Sequence, residues 1–148
     1  MRIRATVLLT RHHAVLLVRE RGGMWLLPGA SVGMDELPMV AAIRGLHRDT
    51  GVEASAVVFQ FQQVSAQHLH SVYRVAIADD VDPRPSPLGE YDEVRWVDSS
   101  ELGRMQVTPG TRAILNRALG PSPNVEDTRG AWRPQGVRMN PRSDFRKG

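Results

Sequence analysis

Three positions near the middle of the chain have the spacing of groups that act together on one helix face. Within residues 41–52, Arg48 and Asp49 follow Gly45 by three and four residues, which places all three on one face of a helix. A carboxylate can hold Mg²⁺ against a phosphate, and a guanidinium can bind phosphate oxygens through two hydrogen bonds. The stretch can therefore be a catalytic helix that has lost ligands, a modified one, or an ordinary surface helix.

Gly45 is the unusual residue of this helix. A glycine in a helix interior costs about 1 kcal/mol relative to alanine. From helix propensity alone, replacing Gly45 with glutamate is expected to stabilise the helix slightly.

A second group of polar residues lies on two predicted strands. His68, His70 and Arg74 share one face of an alternating strand, and Gln60 and Gln62 share one face of the strand before it. Together they could line a polar substrate pocket across the sheet, with His68, His70 and Arg74 as substrate-binding residues. An exposed, solvated sheet face is the alternative.

An acidic turn and a histidine pair are the remaining candidates for chemistry. Glu90 and Glu93 lie in the turn GEYDEV, which is either a solvated surface turn or a source of further ligands. His12 and His13 lie in a turn without neighbouring cysteines or carboxylates, which does not favour a zinc site.

Composition excludes several classes of protein. The 148 residues include no cysteine, so disulfides and thiolate metal sites are excluded, and the apolar runs are too short for a membrane span. Residues 1–120 hold 13 basic and 13 acidic residues, so the net charge of +3 comes from residues 121–148. A basic tail rich in proline and glycine does not favour nucleic-acid binding. We expect a soluble, cytoplasmic protein.

The hydrophobic pattern predicts an α+β domain over residues 1–120 and a tail without regular structure over residues 121–148. A helix is expected over residues 38–50, with Ala42 and Leu46 facing inward and Arg48 outward. Another helix is expected from Pro109, capped by Thr108. Strands are expected in the following sequence segments: IRATVLL, AVLLV, MWLLPG, AVVFQFQQV, HLHSVYRVAIA and EVRWVD. The third is expected to end at Pro28 and Gly29, and the fourth to place Val57, Phe59 and Phe61 on one face.

The stretch WLLPGASVGMDELPMVAAIRGLHRDTGV resembles the Nudix box, G-x5-E-x7-R-E-U-x-E-E-x-G-U, where U is aliphatic. Ala30 takes the first glycine position, and Asp49 takes the place of the last glutamate. Gly45 and Arg48 stand where the box has glutamates. The positions that match are Glu36, Arg44, Leu46, Gly51 and Val52. The segments WLLPG and EVRWV also resemble Nudix sequences, so the resemblance covers residues 1–120.

This resemblance implies an α/β/α sandwich with a mixed sheet, and a hydrolase that uses Mg²⁺ or Mn²⁺. It implies that Glu36, Arg44 and Asp49 are catalytic, and that Glu36 and Asp49 bind the metal with help from Glu90 or Glu93. The formal charge of positions 45, 48 and 49 changes from −3 in the intact box to zero here, so we expect weak metal binding. Arg48 could instead bind the substrate diphosphate itself.

Two functions follow from the resemblance and its departures. The first is weak hydrolysis of a nucleoside diphosphate linked to another moiety. The second is a catalytically inactive Nudix-fold module that binds a nucleotide or a protein partner. A homodimer is compatible with either function, because apolar residues of the tail could dock on the domain or on a second subunit. Those residues are Trp132, Val137, Met139 and Phe145.

Overall fold

The computed structural model describes residues 1–120, which form one mixed β-sheet with helices on both faces. The predicted tail, residues 121–148, lies outside the described residues. Among residues 1–120, no helix is both long and apolar enough to cross a membrane. The elements are β1 Arg2–Arg11, β2 Ala14–Arg19, β3 Gly29–Ser31, α1 Pro38–Thr50, β4 Ala56–Val64, β5 His68–Ala76, β6 Glu93–Asp98, α2 Ser99–Leu102 and α3 Pro109–Leu119.

The sheet is built around β1. Its order is β4-β5-β1-β2-β6, and β3 pairs with β1 beside that path. β1 is parallel to β5 and antiparallel to β2 and β3. The pairing with β3 covers Arg4–Thr6, whereas the pairing with β2 covers Thr10 and Arg11, so the two partners take different ends of one edge of β1.

Alternation along β1 separates two apolar cores. Leu8 faces α2 and α3, where it packs with Leu17, Val72 and Ile114. Val7 and Leu9 point to the opposite face and pack with residues of α1. This arrangement is the predicted α+β sandwich, with the sheet as its central layer.

Local signals predicted α1 and α3 well. α1 begins with Pro38 and ends at Gly51, whose φ of 74° is easily adopted by glycine. Ala42 and Leu46 are buried as expected. In α3, the Thr108 side chain accepts a hydrogen bond from the Thr111 N–H, and Pro109 occupies the first turn.

Two strand predictions were wrong. Trp25 and Leu26 form only isolated bridges, and the strand begins at Gly29 instead of ending there. A β carbon on Gly29 would lie 2.2 Å from the carbonyl oxygen of Ala5, so glycine allows β3 to approach β1. In β4, a β-bulge at Gln60 turns Phe61 to the face opposite Phe59, because one extra residue reverses the alternation.

Candidate active site

Gly45 brings α1 against β3. A β carbon built on Gly45 would lie 2.6 Å from the carbonyl carbon and oxygen of Gly29, and 2.8 Å from the β carbon of Ala30. Such distances require the helix or the strand to move. The expectation that glutamate would be favourable at position 45 was therefore wrong, because packing against a strand backbone outweighs helix propensity.

Arg48 and Asp49 form an ion pair at the C-terminal end of α1. The Arg48 guanidinium donates two hydrogen bonds to the Asp49 carboxylate, at 3.0 and 3.1 Å. Asp49 is completely buried, whereas about a third of the Arg48 side chain is exposed. The hydrogen bonds to Asp49 raise the pKa of Arg48 in spite of its partial burial. Arg48 thus lies at the protein surface, but its guanidinium binds a residue of the same helix, Asp49.

The loop between β5 and β6 covers Asp49. The Ser86 N–H donates to the Asp49 carbonyl oxygen at 3.1 Å, and a β carbon on Gly89 would lie 2.8 Å from the Asp49 carboxylate. Tyr91 follows in the same loop. Burial raises the pKa of its phenol; Arg4 opposes this shift, and the charges of Asp49 and Glu90 add to it. Charges from Arg4 and from the end of α1 therefore both act on the Tyr91 phenol.

Glu36 and Arg44 form the second ion pair of the box. The Arg44 guanidinium donates to both oxygens of Glu36, at 2.8 and 3.0 Å, and to the Ser31 carbonyl oxygen at 2.9 Å. The Gly33 N–H donates to Glu36 as well, at 2.9 Å. Hydrogen bonds from Arg44 and then from Gly33 lower the pKa of Glu36 to about 2. Arg44 therefore joins the loop before α1 to the helix and to β3.

These carboxylates, as they are arranged, do not fit a divalent cation. Among residues 1–120 there is no group of three histidines or acidic residues that could hold a metal ion. Each box carboxylate is already bound by an arginine. Glu93 pairs with Arg19 of the neighbouring strand β2. Glu90 is the acidic residue of this turn whose charge acts on Arg48 of the box. A metal would have to displace at least one guanidinium before it could bind.

A pocket of about 360 Å³ lies at the start of β5, on the face of the sheet that α3 covers. Its walls come from β1, from β5, from Leu26 and Leu27, and from the first turn of α3. His68 and His70 both line it, whereas Gln60 and Gln62, which were expected beside them, do not. Arg4 lines it too and donates to the Leu27 carbonyl oxygen at 2.9 Å.

His70 is held in a neutral state in this pocket. Its ring nitrogens are hydrogen-bonded to the hydroxyls of Thr6, at 2.8 Å, and Ser65, at 3.1 Å. Burial, followed by the charges of Arg4 and His68, lowers the pKa of His70 to about 4. Burial and the nearby arginines also lower the pKa of His68. Because both nitrogens of His70 are occupied, His68 is the histidine with more freedom to contact a ligand.

Arg74 does not join the two histidines. It lies four residues after His70 on the same face of β5, but it lines a different cavity near the end of the strand. Val72 lies between them, in the core under α3. Sharing a face of one strand did not bring these side chains into one site.

No pattern in the sequence distinguishes Arg4, Tyr91 or Thr111 as candidate site residues. Arg4 alternates with apolar residues on β1, as a solvent-facing residue of a strand does. Thr111 lies in the first turn of α3, where threonine is common. Only the folded chain brings Arg4 to the pocket that His70 also lines, where its charge acts on the pKa of His70 and of Tyr91.

Comparison with known families identifies the domain. The model of the NUDIX domain matches residues 1–118. The chain belongs to the Nudix family. A divalent metal such as Mg²⁺ is typical of Nudix proteins, whereas in this chain Arg48 stands at a glutamate position of the box and pairs with Asp49.

Solved Nudix structures share the fold. A protein described as a nudix hydrolase family member from Chromobacterium violaceum is 26% identical, with a TM-score of 0.68 over 79% of this chain and 75% of that one. A Nudix hydrolase from M. smegmatis is also 26% identical, with a TM-score of 0.61 over 77% and 81% of the two chains. A MutT NUDIX hydrolase from Burkholderia pseudomallei is 21% identical, with a TM-score of 0.66 over 78% and 95%. No curated protein sequence matches the chain.

Proposed function

We propose that this Nudix protein binds a nucleoside diphosphate derivative along the C-terminal half of α1 and hydrolyses it slowly. The observation that carries the proposal is the Arg48–Asp49 ion pair, which places a guanidinium where the Nudix box has a metal-binding glutamate. The family supports the reaction class, and the exchanged charges account for the low rate.

The nucleoside part would occupy the pocket beside β5. Its volume of about 360 Å³ lies within the range of small-molecule sites, roughly 300–1,000 Å³. Leu26 and Leu27 offer apolar surface, whereas neutral His68 and the Thr111 hydroxyl offer polar contacts. A neutral imidazole and an apolar wall suit an uncharged ring better than a phosphate.

The diphosphate would bind to Arg4 and Arg48. A guanidinium matches the geometry of phosphate oxygens and stays charged at every pH of interest. Arg48 can exchange its carboxylate partner for a phosphate because part of its side chain is already exposed. Arg4 lines the pocket, and its charge also acts on Tyr91 of the loop that covers Asp49.

Hydrolysis requires a water oxygen to attack one phosphorus while the bond from that phosphorus to the bridging oxygen breaks. Arg48 can stabilise the negative charge that develops on the phosphate oxygens. Neither carboxylate of the box is well suited to act as the general base. The lowered pKa of Glu36 makes it a poor proton acceptor, and Asp49 is buried and paired with Arg48. Slow turnover follows from this arrangement.

Binding without turnover is the second candidate. It is favoured by the Arg48–Asp49 ion pair, because that pair occupies a carboxylate that an active Nudix box would leave for the metal. In this case the substrate would still bind to Arg48 but would not be cleaved.

The deciding experiment measures binding and cleavage separately. Dissociation constants for a panel of nucleoside diphosphate derivatives would be obtained by calorimetry, and phosphate or mononucleotide release would be followed with and without Mn²⁺. Arg48→Gln should weaken binding about tenfold or more, equivalent to about 1.4 kcal/mol. Arg95→Gln, which removes a surface charge paired with Glu101, is the matched control. Binding that is unaffected by Arg48→Gln would contradict the proposal, and binding with no release under any condition would favour the second candidate.

A further inference from the structure

A second cavity lies at the opposite end of β5 from the proposed nucleotide pocket. It has a volume of about 660 Å³ and is formed where β1 and β5 end and β4 begins. Val58 and Ile77 supply apolar surface and Thr10 supplies a hydroxyl, whereas Val75 is buried in the core on the α1 side of the sheet. Its size lies in the range of small-molecule sites.

Arg74 is the main cation of this cavity. Its neighbours across the strands are Leu8 of β1 and Val58 of β4, both apolar. The side chain is half-buried, and burial lowers the pKa of the guanidinium. Within residues 1–120, Arg74 makes no hydrogen bond or ion pair. A guanidinium removed from water without a partner is costly, so an anion that reached it would be bound favourably.

The other charged groups of the cavity have different roles. Arg11 donates to the carbonyl oxygens of Ala78 and Val81, both at 3.0 Å, and its guanidinium lies 4.8 Å from the centre of the Trp96 ring. Arg11 therefore holds the wall formed by the turn after β5. Asp79 also lines the cavity, but it is exposed and forms no ion pair with Arg74. Among the described residues, therefore, no partner occupies the guanidinium of Arg74, which a ligand can reach.

We propose that this cavity binds a small molecule with one anionic head, a carboxylate or a phosphate, on a short apolar body. The head would accept two hydrogen bonds from Arg74, with the Thr10 hydroxyl as a further donor. The apolar body would lie against Val58 and Ile77. This site is separate from the proposed nucleotide site and does not depend on it.

The test uses simple probes on the full-length protein. Phenyl phosphate and benzoate carry the two anionic heads on the same ring, and benzyl alcohol is the uncharged control. Both anions should bind saturably in a calorimetric or NMR titration, and benzyl alcohol should bind at least about tenfold more weakly. If only one of the two anions binds saturably, the proposal holds for ligands with that anionic head. Equal binding of benzyl alcohol, or no saturable binding of either anion at millimolar concentrations, would overturn the proposal.

Two variants of Arg74 make the assignment specific. Arg74→Met should abolish binding of the anions, and Arg74→Lys should weaken it several-fold, because lysine keeps the charge but loses the paired donors. Arg95→Gln should leave binding unchanged. The thermal midpoint of Arg74→Met without ligand should equal or exceed that of the native protein, because an unpaired buried charge is removed. A large fall in the midpoint would show that Arg74 has a structural partner and would overturn the proposal, as would unchanged binding by Arg74→Met.

Discussion

Gly45 of α1 packs directly on the backbone of Gly29 at the start of β3, with no room for a β carbon between them. This contact sets the distance between the helix that carries the Nudix box and the sheet beneath it. Arg44 and Arg48, one on each side of Gly45, both reach carbonyl oxygens of the same strand, those of Ser31 at 2.9 Å and Gly29 at 3.5 Å. Glycine at position 45 therefore has two effects: it removes a carboxylate from the box, and it allows α1 to pack on the backbone of β3.

The first prediction concerns this contact. Gly45→Ala should lower the free energy of unfolding by about 1–3 kcal/mol, because overpacking against a backbone outweighs the gain in helix propensity. Gly45→Glu should be at least as destabilising. Chemical denaturation measures both, and His47→Ala on the exposed face of α1 is the control. An Ala variant more stable than the native protein would show that α1 can move away from β3 at little cost.

The second prediction concerns the buried carboxylate of Asp49. Arg48→Gln should lower the free energy of unfolding by about 1–3 kcal/mol, because Asp49 loses its charged partner while it stays buried. Mn²⁺ should then raise the thermal midpoint of Arg48→Gln more than that of the native protein, since the freed carboxylate can accept the cation.

Arg44→Gln provides the comparison for that experiment. It also frees a carboxylate, Glu36, but one at the surface, so the loss of stability should be smaller. If Mn²⁺ shifts the midpoints of the native protein and of Arg48→Gln equally, Arg48 does not block metal binding.

The third prediction concerns pH. The pKa of His70 is lowered to about 4 in the folded protein, whereas an unfolded histidine titrates near pH 6.5. Between these values the unfolded state takes up a proton and the folded state does not. The free energy of unfolding should therefore fall as the pH is lowered from about 6.5 to about 4, by at most about 3 kcal/mol from this residue.

His70→Asn tests this assignment because asparagine does not titrate. Denaturation curves recorded across the same pH range should show a flatter dependence for His70→Asn than for the native protein. His47→Asn, at an exposed position of α1, should keep the native dependence. Equal slopes for the native protein and His70→Asn would mean that His70 is not the source of the pH dependence.

The fourth prediction concerns the domain boundary. Both described core clusters consist of residues before Gly120, and residues 1–120 carry no net charge. A chain that ends at Gly120 should therefore unfold cooperatively and bind the same nucleotides as the full-length protein. Loss of the unfolding transition on truncation would show that residues 121–148 contribute to the core and that the boundary is wrong.

Much of the fold could be predicted because its signals are local. Pro38 and Gly51 limit α1 through their own backbone preferences, and Thr108 caps α3 through a hydrogen bond three residues away. The alternation of β1 distinguishes its two faces without reference to any other strand. The Nudix family was also recognisable from one continuous stretch, because the box keeps its spacing although two of its glutamates are replaced.

The site was less predictable because its decisive contacts join residues distant in sequence. Helical spacing placed Gly45, Arg48 and Asp49 on one face but could not show that Gly29 fills the space beside Gly45, or that the loop through Gly89 covers Asp49.

The sequence by itself determined the family, the limits of α1 and α3 and the charges of the box. The tertiary structure decided which charges meet, since ion pairing and burial depend on the packing of segments that the sequence keeps apart. It paired both box carboxylates with arginines, turned Phe61 over at a bulge, and separated Arg74 from His70. Each outcome depends on distances of a few ångströms between elements, and residue spacing along one strand or helix does not contain that information.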